Sequence, residues 1–130
     1  MRWYKAACYV LMALGLVHSM SFLTAPPPPA NETEAKLDDL MTNYKSDLMG
    51  VQRSQGDLFK GFLISFSVLP LTMGIAGLVA GRESARRIAA VYFGGLLVMT
   101  VVSIVWWFHA PTAFLAASMI CYGIAWLKIS

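Results

Sequence analysis

The side chains best suited to chemistry in this chain are His18, Ser65, Ser67 and the two cysteines, and each lies inside an apolar stretch. His18 stands in GLVHSM, beside Ser19 and three positions before Ser21. Ser65 and Ser67 flank Phe66 in SFSVLP, just ahead of Pro70. An ionisable side chain within lipid is costly, so it marks a functional candidate and calls for a polar partner. His18, Ser65 and Ser67, beside a bend at Pro70, would form a small polar pocket between the first and second apolar segments. An apolar pocket with a few such groups takes a lipophilic ligand, a quinone or a lipid headgroup. The structural alternative is a neutral His18 hydrogen-bonded to Ser19, Ser21 or the serines of the second segment. Metal and haem chemistry are poorly served. The second histidine, His109, falls at a segment end, and His18 lies about 9 Å below the outer end of its own helix at about 1.5 Å per residue. No third ligand and no i,i+4 partner accompanies them. Cys8 and Cys121 read as small buried hydrophobes. No catalytic constellation, metal site or cofactor box is expected.

These residues must be positioned by elements whose solvent is lipid. Of 130 residues, 58% are hydrophobic and 13% charged, against about 25% charged in soluble domains. Charges are absent from 6–24, from 61–81 and from the forty residues 88–127. A charge at the centre of a spanning helix costs roughly 2.5–3.5 kcal/mol, and a span needs about 20 apolar residues. The pattern predicts an all-α fold, a four-helix transmembrane bundle forming one membrane domain over 1–130. Its spans fall at about 4–24, 58–80, 88–108 and 111–127. Arg2 and Lys5 before an apolar run suggest a secretory signal, but the run is long and Pro26–Pro29 follow LTA directly. A retained anchor is expected. The net charge of +3 sits beside the spans, which points to topology rather than to nucleic acid.

Trp3 and Tyr4 open the first span as interfacial aromatics. Pro26–Pro29 end it and form a stiff polyproline spacer. A short extracytoplasmic amphipathic helix is expected over 31–49, capped by Asn31 with Glu34 in the reciprocal position. Its apolar stripe would be Leu37, Leu40, Met41, Tyr44 and Leu48. Asn31–Thr33 also matches a glycosylation acceptor, N-E-T. In the second span Pro70 should kink the helix while the serines satisfy carbonyls nearby. Gly74, Gly77 and Gly81 form a small-residue seam for helix packing, and Gly81 a left-handed stop. A basic link over 81–87 carries Arg82, Arg86 and Arg87. The third span ends in Trp106-Trp107-Phe108, His109 and Pro111 make a tight turn, and Tyr122, Trp126 and Lys128 mark the last exit.

Orientation follows from the cations. With the N-terminus inside, Arg2, Lys5, Arg82, Arg86, Arg87 and Lys128 oppose one inner acid, Glu83. The outer loop 25–57 and its flank carry four cations against six acids. Both termini are therefore expected in the cytoplasm and the long loop outside.

GLVHS late in the first span, a proline-bearing outer loop with KLDDLM, and GFLISFS opening the second span resemble a family of small bacterial four-helix membrane proteins without established activity. The resemblance implies a bacterial inner membrane. Members of that family more often carry a histidine between the two serines, where this chain has Phe66. In layout alone the chain is similar to DoxX-like four-helix proteins, and layout does not imply function. The expected function is a non-enzymatic membrane protein, an accessory or structural subunit of a larger complex. The alternative is a binder or redox handler of a lipophilic ligand. Expected partners are the bilayer and either other membrane proteins or further copies of the chain.

Overall fold

The computed structural model describes residues 1–24, 26–106 and 109–129, the side chains of Trp106 and His109 excepted. In chain order they form α1 (Arg2–Met20), α2 (Glu32–Asn43), β1 (Lys45–Leu48), β2 (Val51–Ser54), α3 (Gln55–Val79), α4 (Arg82–Trp106) and α5 (His109–Lys128). Among the described residues three helices, not the four expected, are long and apolar enough to cross a membrane: α3, α4 over Arg82–Val105 and α5 over Ala110–Lys128; α1, which stops at Met20 and carries Arg2 and Lys5, is not among them. In their apolar windows only 22%, 22% and 33% of the residues are buried. Their outward side chains, such as Val68, Val79, Val91, Ile104 and Ile120, are apolar and exposed. Water is a poor solvent for so large a continuous apolar surface.

α1 packs on both α3 and α5, and α4 packs on α5. Each helix presents a face of three- and four-residue steps, the spacing that aligns side chains along one side of a helix. On α1 the face is Tyr4, Cys8, Leu11 and Gly15; on α5 it is Leu115, Ser118, Tyr122, Ala125 and, just past the helix end, Ile129. On α3 the buried residues are Ser67, Pro70, Gly74 and Gly77. The α1–α3 contact is close because the glycines remove side chains from it. A methyl on Gly74 would stand 2.6 Å from the Cys8 carbonyl oxygen, and one on Gly15 2.7 Å from that of Ser67. A methyl on Gly77 would meet the Cys8 sulfur at 2.7 Å. Gly74 and Gly77 are thus packing positions, whereas nothing lies within 4 Å of a methyl at Gly81.

The segment expected to be one helix over 31–49 is two elements. Asn31 caps α2 by accepting from the Glu34 amide at 2.9 Å, and the Glu34 carboxylate reaches back to the Ala30 amide at 2.8 Å. The helix then stops at Asn43, with Tyr44 extended at φ −74° and ψ 116°. Residues 45–54 form an antiparallel hairpin in which Leu48 pairs with Val51. Its two-residue turn, Met49-Gly50, has φ values of 56° and 87°, the left-handed pair that a type I′ hairpin needs. The Asp47 carboxylate accepts from the Gly50 amide at 2.7 Å and closes the turn. The apolar stripe through Leu48 competed with this turn chemistry, and the turn prevailed. Ser54 ends the hairpin and caps α3, accepting from the Asp57 amide at 3.1 Å while the Asp57 carboxylate accepts from the Ser54 amide at 3.2 Å.

Other boundaries differ for local reasons. α1 ends at Met20, and Ser21, Phe22 and Leu23 donate three residues back, to His18, Ser19 and Met20, in a tightened turn. α3 runs unbroken through Pro70. Its serines serve their own turns: Ser65 donates to the Gly61 carbonyl and Ser67 to that of Leu63, so the carbonyl opposite Pro70 is not their acceptor. Gly81 does not adopt the left-handed conformation; Ala80, extended at ψ 132°, ends α3. The expected basic link is helical, because α4 begins at Arg82. Arginine is a good helix former, so loss of apolar residues marks the end of lipid immersion, not of the helix. Pro111 lies in the first turn of α5, where a missing amide is tolerated. The Tyr4 and Tyr122 side chains are buried in the core rather than exposed on the bundle surface. The aromatic run 106–108 and the His109 side chain lie outside the described residues.

Candidate functional site

His18 continues the buried stripe of α1 and stops short of full burial near the C-terminal end of that helix. Its ring meets Phe66 edge-on with centroids 5.0 Å apart, and Phe22 at 6.5 Å. Nε2 is buried and has no hydrogen-bond partner among the described residues. The nearby hydroxyls are engaged elsewhere: Ser19 donates to the Gly15 carbonyl and Ser21 to the His18 carbonyl, each at 2.7 Å. Neither serine bonds Nε2.

A cleft of about 150 Å³ opens beside this ring, lined by Leu14, Val17, His18, Ser21, Ala110, Pro111 and Phe114. It lies between α1 and α5, not between α1 and α3. Of the four residues expected to share a pocket, only His18 lines it. Ser65 is exposed, while Ser67 and Pro70 are buried in the α1–α3 contact. The cleft wall is mostly apolar, with His18 and Ser21 its polar residues, and the buried Nε2 lies behind that wall. Among the described residues no three His, Cys, Asp or Glu side chains converge.

At the opposite end the four long helices meet in a polar cluster that sequence reasoning missed. The Cys8 sulfur lies 3.3 Å from the Tyr122 hydroxyl. Tyr4 and Tyr92 both pack edge-on against Tyr122, at 5.7 and 5.3 Å between centroids. Gly77 completes the ring of contacts, since a methyl there would stand 3.4 Å from the hydroxyls of both Tyr4 and Tyr122. The signal was available: Tyr4 and Cys8 share one face with Leu11, and Tyr122 shares one with Leu115 and Ala125.

Beyond this cluster lies the basic end of the bundle. Arg82, Glu83, Arg86, Arg87 and Ile129 line an open cleft of about 600 Å³. The chain matches no protein-family model, no curated protein and no solved structure.

Proposed function

We propose that the chain is a four-pass protein of a bacterial inner membrane, with both termini cytoplasmic, acting as a non-enzymatic accessory subunit of a larger membrane complex. α1 serves as the fourth span. Supporting this, α1 is flanked by α3 and α5, and its contacts run from Tyr4 beside Tyr122 and Gly77 to His18 beside Phe66. A helix packed along two membrane-crossing neighbours shares their depth. The orientation is supported by the six cations at one end of the bundle against a single acid. The motifs GLVHS, KLDDLM and GFLISFS support a place among small bacterial four-helix membrane proteins.

The observation that carries the subunit reading is the outer unit of α2 and the hairpin. α2 has no buried residue, and Leu37, Leu40, Tyr44, Leu48, Met49 and Val51 are all exposed. An apolar surface outside the span region, uncovered by its own chain, is suited to a partner. The test has two arms. Ser46→Cys should react with a membrane-impermeant maleimide in intact spheroplasts, and Ser84→Cys only after permeabilisation; the reverse pattern rejects the topology. Mass spectrometry of the native particle in mild detergent should then show a second polypeptide. A bare monomer rejects the subunit role.

A second reading is favoured by the unpartnered Nε2 of His18 beside the α1–α5 cleft: a binder or redox handler of a lipophilic ligand such as a quinone or a lipid. Organic extraction of the purified chain should then release a ligand that His18→Ala no longer retains.

A further inference from the structure

The basic cleft at the foot of α4 has a shape and charge that topology alone does not require. Positive flanks orient a span wherever they fall near its ends, yet here three guanidinium groups gather around one cleft. Arg82, Arg86 and Arg87 are all exposed on its rim, and among the described residues Glu83 is the only acid lining it. Arg82 and Arg86 are one helical turn apart, so they flank the same side of α4. The cleft's volume of about 600 Å³ is that of a small-ligand site, which spans roughly 300–1,000 Å³.

The chemistry favours one class of anion. A guanidinium presents a planar fork of donors that matches phosphate oxygens two at a time. The rim is also the start of α4, where the first-turn amides lack intrahelical acceptors and the helix end is electropositive. The Ser84 amide is already taken by the Gly81 carbonyl, which leaves the preceding amides of the turn. Ile129 is the one apolar residue among the described residues that line the cleft. The neighbouring helix ends add Arg2, Lys5 and Lys128, because the Tyr4–Tyr122 contact brings both ends of the chain to this side.

We propose that this cleft binds a phosphate-bearing anion, presented by the headgroup of an anionic phospholipid or as free phosphate. The proposal rests on the reading that this end of the bundle meets the membrane surface. Each arginine near an anionic surface contributes about fivefold in affinity, so all three together contribute on the order of a hundredfold.

The test uses the full chain purified in an uncharged detergent and titrated with dioleoylphosphatidylglycerol, dioleoylphosphatidylcholine or inorganic phosphate, with bound species counted by native mass spectrometry. Preferential retention of the glycerol lipid, weakened about fivefold by each of Arg82→Gln, Arg86→Gln and Arg87→Gln, supports the site. Retention unaffected by millimolar phosphate assigns the lipid as source; displacement by phosphate assigns the free anion. Lys36→Gln with Lys45→Gln, on the outer unit, should leave retention unchanged. Equal retention of both lipids, or arginine variants that bind as the parent does while remaining monodisperse, overturns the proposal. Sedimentation with membranes before solubilisation is scored in parallel. Its failure would reject the spanning reading, whereas loss of lipid preference alone rejects only the cleft.

Discussion

The Cys8 sulfur and the Tyr122 hydroxyl, separated by 114 positions in the chain, lie 3.3 Å apart in the core. The pair links α1 to α5 where α3 and α4 also converge, through Gly77 and Tyr92. A buried hydroxyl that keeps its partner contributes net stability, whereas one without a partner is a cost. Tyr122→Phe is therefore expected to destabilise the fold by about 1 kcal/mol. Tyr4→Phe should be neutral or stabilising, since the Tyr4 hydroxyl is buried with no hydrogen-bond partner among the described residues. Thermal unfolding of both variants in one mild detergent checks the contrast, and equal losses would refute it.

The glycine contacts make a second prediction with an internal control. A methyl at Gly74 would press on the Cys8 carbonyl oxygen at 2.6 Å, and backbone cannot rotate away as a side chain can. Overpacking of this kind costs about 1–3 kcal/mol, so Gly74→Ala should lower the unfolding temperature clearly. Gly94 lies in α4 with open space around it. Gly94→Ala should be neutral or stabilising, because alanine is favoured over glycine in a helix by about 1 kcal/mol. If both variants unfold together, the α1–α3 approach is not as close as described.

The hairpin turn predicts opposite effects at adjacent residues. Met49 and Gly50 both carry positive φ, which a side chain tolerates poorly and asparagine tolerates better. Met49→Asn should stabilise the hairpin, and Gly50→Ala should weaken it by about 1 kcal/mol. Amide hydrogen exchange across residues 45–54 reads both, slower in the first variant and faster in the second. The reverse order would rule out this turn.

The cap of α3 predicts both a mutational and a pH effect. Ser54→Ala removes the acceptor of the Asp57 amide, and loss of such a cap costs about 1 kcal/mol. Amide exchange at residues 55–59 should rise about fivefold. Asp57 precedes the charge-free run that starts at Gly61. Hydrogen bonds from the Ser54 backbone amide, then its side chain, hold the Asp57 carboxyl below its ordinary value of 3.8. A lowered carboxylate value means protection is fully present above that ordinary value and is lost as pH falls through the folded value below it. Exchange in this turn should rise under acid conditions, and Asp57→Asn should remove the pH dependence. A pH-independent turn in the parent chain would contradict the capping box.

What could be read from the residues alone was whatever depends on near neighbours along the chain. Runs without charge predicted four spans, of which the structure shows three as helices long and apolar enough to cross a membrane; Asn31 and Glu34 revealed the start of α2, and the glycines of α3 a packing face, because each signal is complete within one or two helical turns. The same locality misled where two local signals competed, as in the stripe through Leu48 against the turn at Met49-Gly50. Which faces meet was beyond such reading. His18 lines a cleft with α5 rather than sharing one with Ser65 and Ser67, and Tyr4 and Tyr122 turn into the core rather than outward. Helix partners are chosen by shape across residues remote in sequence: the gap at Gly77 admits Cys8, and the cluster around Tyr122 closes only once four helices stand side by side.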